Sequence, residues 1–125
     1  MANKHTLFFV LFLLYLLLLF FLLFSNDLGF RYTRYPYQDK LIHFGAFFLG
    51  QLLVLLTGKV KGVIRSFVYI VFLLLPVISE IVQEILPNRV QDYTDMLAGY
   101  LGILTCLGFW FGFKLIRKYF FLKER

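Results

Sequence analysis

Four long apolar stretches, joined by connections too short to hold a second domain, decide what this chain can fold into. They cover residues 7–24, 41–57, 63–86 and 96–113, each close to the ~20 residues a helix needs to cross the hydrocarbon core of a membrane. In a chain of 125 residues they leave no room for a separate soluble domain. The composition agrees: 61% hydrophobic, 21% aromatic and only 16% charged, with a mean hydropathy of +0.80, outside the usual range for a soluble core. The expected fold is all-α, an integral membrane four-helix bundle forming one domain over residues 1–125.

The first stretch follows Lys4 and has the position of a secretory signal. Its 18 uninterrupted apolar residues exceed an h-region, however, and Ser25-Asn26-Asp27 offers no small-x-small cleavage site. It is read as a retained helix. Cys106 stands alone inside the fourth stretch, so neither a disulfide framework nor a cysteine metal site can form within one chain. The net charge of +6 comes mostly from Lys and Arg flanking the apolar spans, with no basic patch interleaved with exposed aromatics, which argues against nucleic acid as a partner. These charges set orientation instead. With the N-terminus inside, nine cations (Lys4, Lys59, Lys61, Arg65, Lys114, Arg117, Lys118, Lys123, Arg125) lie on the inner side and four (Arg31, Arg34, Lys40, Arg89) outside. The positive-inside rule then favours N-in, C-in in a cell membrane.

Along the chain, helix one is nearly featureless Leu and Phe broken by Tyr15, as suits a lipid-facing anchor. The segment 25–38 carries Tyr32, Tyr35 and Tyr37 around Pro36 and is expected to lie at the headgroup level, with a lid or lipid-recognition loop as the alternative. The short Gly58–Gly62 connection is expected to join helices two and three as an adjacent antiparallel pair. Pro76 removes the donor to the Phe72 carbonyl and should bend helix three one turn before Glu80, and Pro87 marks its exit. In helix four, Ala98-x3-Gly102 and Gly108-x3-Gly112 form smooth strips that serve either packing within the chain or a homo-oligomer. The tail 114–125 mixes basic and aromatic residues and reads as an interfacial end of the last helix, attracted to anionic lipid.

Six of the seven acids (Asp27, Asp39, Glu80, Glu84, Asp92, Asp95) fall in segments that four antiparallel spans bring to one membrane edge. Ionisable groups near hydrocarbon are costly and tend to face a bundle interior or a water cavity. Asp39 and His43 are four residues apart, so the carboxylate can orient the imidazole, with Lys40 beside them. The bland alternative is an N-cap Asp, a snorkelling Lys and an interfacial His. Glu80, Gln83 and Glu84 form a polar stripe that should point inward. Glu80 lies on the order of 10 Å below the helix exit, where burial requires a partner or a raised pKa, whereas Glu84 suits solvent. Arg89 can pair with a carboxylate or hold a phosphate, Asp92 shares its loop, and Asp95 is placed to cap the last helix.

The pattern Asp39-Lys40-x2-His43-Phe44, then Glu80-x2-Gln83, Pro87-x-Arg89-x2-Asp92-x2-Asp95 and Gly102, resembles the signature of VanZ-like membrane proteins over helices two to four. Its separate pieces are short; their order on hydrophobic helices is what makes them specific. The resemblance implies a cell-envelope protein related to one linked with resistance to the glycopeptide antibiotic teicoplanin, in a family most of whose members have no assigned reaction. Asp39, Lys40, His43, Glu80, Gln83, Arg89, Asp92 and Asp95 match position by position. The chain departs from the pattern at Gly99, where family members often carry Asn.

Three functions are expected to compete. The first is an outward-facing pocket that binds an anionic lipid headgroup or cell-wall precursor, with Arg89 and Lys40 meeting phosphate and Asp39, Gln83 and Asp95 completing the binding set. The second is a membrane enzyme acting on a lipid-linked or peptidoglycan substrate, with Glu80 or Asp92 as general base and His43 as acid or metal ligand. In this case carboxylates and one His suit a hard divalent ion better than a structural zinc, though no spacing is diagnostic of a metal site. The third is a structural or assembly protein whose polar network pins helices two, three and four together.

Overall fold

A computed structural model describes residues 3–24, 37–58, 62–85 and 92–123. They form four helices: α1 Lys4–Phe24, α2 Gln38–Leu56, α3 Val63–Ile85 and α4 Tyr93–Lys123. All four are long and apolar enough to cross a membrane, and no strand occurs among the described residues. Helices are what such a sequence must form, because lipid offers no partner to a backbone N–H or C=O and each span has to satisfy its own. The protein is thus an all-helical, multi-pass membrane bundle. Most of the segment 25–38, the Pro87 exit and Arg89 lie outside the described residues.

Burial runs opposite to that of a soluble protein. Large apolar side chains cover the outside, among them Leu17 at 67%, Phe109 at 70% and Ile85 at 78% exposure. On α1 the buried residues are Phe12, Leu16, Leu19 and Leu23, spaced at the three- and four-residue intervals of one helix face. The featureless anchor therefore has a packing side. Phe47 of α2 and Phe72 of α3 are fully buried with ring centroids 5.7 Å apart, and Phe12 of α1 meets Phe72 edge to face at 5.6 Å. Gly50 makes room for this stack, since a Cβ there would stand 2.6 Å from the Phe72 ring.

The helices are not packed in sequence order. α2 packs most extensively on α4 and next on α1, while α3 lies against α4 and α1. The expectation of α2 and α3 as directly packed neighbours is therefore corrected: they sit diagonally and meet through side chains such as Phe47 with Phe72, and Tyr69, whose hydroxyl donates to Gln51 Oε1 at 3.4 Å. The reason is the smooth strip on α4. At Gly102 the backbones of α2 and α4 come so close that a Cβ would collide with the Phe44 carbonyl oxygen. The connection after α2 closes with Gly58 at φ +77° and opens α3 with Gly62 at φ +92°, left-handed conformations that glycine adopts at little cost.

Two tyrosines in the spans find backbone partners. Tyr15 of α1 donates to the Ala46 carbonyl at 2.6 Å, and Tyr100 of α4 donates to the Leu73 carbonyl at 3.0 Å. Leu73 follows Phe72, whose carbonyl loses its donor to Pro76, so Tyr100 attaches where the proline loosens the ladder. α4 runs 31 residues, about 46 Å at 1.5 Å per residue. It therefore continues beyond the apolar stretch that ends at 113, into the interfacial tail, and past a hydrocarbon core of about 30 Å.

Candidate functional site

The start of α2, the end of α3 and the start of α4 bring the polar residues together at one end of the bundle. The first turn of α4 organises them. Asp92 is its N-cap, accepting the Thr94 amide on Oδ1 at 2.9 Å and also the Thr94 hydroxyl, which satisfies donors a helix start leaves open. Capping falls to Asp92 rather than to Asp95, which lies three residues into the helix. This Asp-x-x-Asp spacing is that of a capping box, whose second acid ordinarily reaches back to the cap residue's own N–H. Here the Asp92 N–H donates instead to Glu80 Oε2 of α3 at 3.2 Å. Asp95 is thereby free for other contacts, and α3 is tied to the start of α4.

Glu80 is 2% exposed and Gln83 4%, so this part of the stripe faces inward as its spacing requires, while Glu84 is exposed. The expected depth of Glu80 is met by the amide end of α4, where the helix dipole favours negative charge. Gln83 Nε2 is buried with no hydrogen-bond partner among the described residues.

Lys40 of α2 bridges to α4. Its Nζ lies 2.8 Å from Asp92 Oδ2 and 3.4 Å from Asp95 Oδ1. With Lys40 on one oxygen and Thr94 on the other, the Asp92 carboxyl is held down at about 2, against an ordinary 3.8. So depressed, Asp92 is a weak base at neutral pH. Asp39 falls in the first turn of α2, behind Tyr37 as the N-cap, and is exposed. It lines a cavity of about 120 Å³ between α1 and α2 together with His43.

His43, Glu80 and Asp95 form the tightest grouping. Each offers one donor atom, an imidazole nitrogen or a carboxylate oxygen, and the three atoms lie within 4.8 Å of one another. Each comes from a different helix, so the grouping exists only in the folded bundle. Two donors on opposite sides of a divalent ion bound at about 2.1–2.4 Å would be about 4.2–4.8 Å apart, a separation comparable to that within this grouping. One imidazole and two carboxylates suit Mn²⁺ better than an all-oxygen ion such as Ca²⁺.

The fold thus brings together His43, Glu80 and Asp95, with Lys40 and Asp92 bonded alongside. Asp39 lies on the cavity side of His43. Sequence reading missed Thr94 as a capping partner, although the Asp92-x-x-Asp95 spacing carried the signal; it singled out the Ala98-x3-Gly102 strip for close packing but not α2 as the helix that meets it. At Gly99, a Cβ would stand 2.8 Å from the Phe47 ring, so the space an Asn side chain would need there is filled by phenylalanine. No protein-family model, curated protein or solved structure matches the chain.

Proposed function

We propose that this end of the bundle is an extracytoplasmic site that binds a divalent cation on His43, Glu80 and Asp95 and, through it, the phosphate of an anionic lipid headgroup or cell-wall precursor. The observation that carries the reading is the convergence of those three donors within 4.8 Å from three helices. Lys40 is already shared by two carboxylates, and the described part of the site holds more acids than cations, so it would repel a bare phosphate. A divalent ion reverses that sign and keeps coordination positions for phosphate oxygens. An ion on Asp95 would displace the longer of the two Lys40 contacts and leave Lys40 on Asp92.

The resemblance to VanZ-like proteins supports a place in the cell envelope, and the flanking charges support an N-in, C-in orientation with this site outside. Altered handling of a surface precursor would then change susceptibility to teicoplanin.

The test is Mn²⁺ binding by the purified protein, followed by electron paramagnetic resonance of the free ion. One saturable site per chain is expected, lost in His43→Asn, Glu80→Gln and Asp95→Asn while the helical content is retained. Binding of a pyrophosphate-bearing lipid precursor should follow the metal. Absence of stoichiometric binding in the parent protein would refute the cation site.

A second reading has its own observation. The Lys40–Asp92, Lys40–Asp95 and Asp92–Glu80 bonds join three helices without any ligand, as a purely structural network would. It predicts that Glu80→Gln lowers folded yield and leaves no metal-dependent property to lose.

A further inference from the structure

At the opposite end of the bundle, about 28 Å along α4 from Asp95 at 1.5 Å per residue, a cavity of about 570 Å³ opens between the start of α1, the end of α2 and the middle of α4. Lys4 and Lys114 stand at its rim, and His5 and Gln51 line it. Gln51 is fully buried. Its Oε1 accepts the Tyr69 hydroxyl, but its Nε2 has no hydrogen-bond partner among the described residues, and neither has His5 Nδ1. A buried amide N–H without an acceptor is destabilising, so an unpaired donor that lines an open cavity calls for an acceptor from outside the described residues.

The chemistry of the walls narrows the occupant. Among the described residues no acid lines the cavity, and Gln51 Nε2 and both lysines can only donate. Between the rim and Gln51 the walls are apolar, with Phe8, Leu55 and Leu107. Gln51 lies five residues inside the last residue of α2, about 8 Å below that membrane edge. A free phosphate would answer the rim lysines and leave Gln51 and the apolar wall uncovered, whereas water would answer Gln51 alone. A phospholipid carries acceptors at both levels, phosphate at the surface and ester carbonyls a few ångströms deeper, followed by an acyl chain.

We propose that this cavity binds one anionic phospholipid from the adjoining leaflet. Its phosphate lies between Lys4 and Lys114, an ester carbonyl accepts the Gln51 Nε2 hydrogen, and an acyl chain runs along Leu107 and Trp110. The site is independent of the polar cluster at the other end, and its failure would leave that reading standing.

Trp110 lines the cavity and is the only tryptophan in the chain, so its fluorescence reports occupancy without a label. The full chain is reconstituted in phosphatidylcholine vesicles containing phosphatidylglycerol, with bromine on the acyl chains of one lipid or the other. Brominated phosphatidylglycerol should quench Trp110 at mole fractions where brominated phosphatidylcholine does not. Neutralising Lys4 or Lys114 with Gln should lower that preference about fivefold each. Gln51→Leu should lower it with both lysines intact, which simple attraction of lysines to a charged surface would not produce. Leu107→Phe, which narrows the cavity and touches no polar group, provides the same test if Gln51→Leu fails to fold. Equal quenching by the two lipids, or a preference unchanged in both Gln51→Leu and Leu107→Phe, would overturn the proposal, as would displacement of the lipid by millimolar inorganic phosphate.

Discussion

Replacing Gly102 with alanine adds one methyl group where α2 and α4 have no space for it. The new Cβ would press on the Phe44 carbonyl oxygen and stand 3.0 Å from the Phe48 nitrogen. Both are backbone atoms, so no rotamer change relieves the clash. An ordinary C···O contact needs about 3.3–3.6 Å, which requires the two helices to part by about 1 Å along their most extensive interface. Overpacking of this kind is destabilising by about 1–3 kcal/mol, and with backbone on both sides the upper end is expected. Gly108→Ala and Gly112→Ala are the controls, because a Cβ at either position meets nothing within 4 Å among the described residues. Gly99→Ala should fall between, its Cβ 2.8 Å from the ring of fully buried Phe47. Unfolding in mixed micelles by titration with sodium dodecyl sulfate, followed by far-ultraviolet circular dichroism, ranks the four variants. Because Phe44 adjoins His43, Gly102→Ala should also weaken Mn²⁺ binding. A Gly102→Ala variant as stable as Gly108→Ala would show that α2 and α4 do not meet at this strip.

Two further substitutions separate contributions that overlap in the structure. Asp92→Asn keeps a capping acceptor for the Thr94 amide but loses the charge opposite Lys40; since the Asp92 side chain is 43% exposed, this should change stability by under about 1 kcal/mol. Asp92→Ala removes the cap as well and should be about 1 kcal/mol worse, visible as faster hydrogen exchange at the Thr94 amide; equal exchange in the two variants would contradict the capping role. Tyr100→Phe removes only the hydroxyl that donates to the Leu73 carbonyl, and in the same micelle titration it should be destabilising by about 0.6 kcal/mol, the average for a hydrogen bond between membrane helices.

The spans were legible because uniform apolarity over some 20 residues has one structural meaning. The inward Glu80 and outward Glu84 were legible because the polar stripe on α3 contrasts with exposed Ile81 and Ile85. Where contrast was missing, so was the answer: every position of α1 is apolar or aromatic from Leu7 to Phe24, so nothing in the sequence distinguishes Phe12, Leu16, Leu19 and Leu23 from their lipid-facing neighbours. The diagonal placement of α2 and α3 was hidden for a different reason. A short connection fixes that two helix ends are near, but the contact along their length is decided by shape, and here Gly102 gives α4 the better surface for α2. The apolar run breaks at Lys114, yet neither Gly nor Pro follows Gly112, so the tail continues the last helix and α4 runs to Lys123.

The start of α4 is the point on which the polar end depends. Glu80 lies too far inside α3 to reach solvent, and a carboxylate there is tolerable only beside a donor or a positive potential. A helix N-terminus supplies both, and the Asp92 N–H meets Glu80 Oε2 at 3.2 Å. That one bond has two consequences. It takes the N–H that Asp95 would accept in a complete capping box, so Asp95 turns to Lys40 and to the grouping with His43 and Glu80. It also fixes α3 against α4, while Gly102, nearly three turns further along α4, fixes α2. The three donors therefore converge because two backbone-level contacts, one hydrogen bond and one missing side chain, position the helices that carry them. Without that helix end beside it, α3 would lose its tie to the start of α4, and Glu80 would no longer be held beside His43 and Asp95.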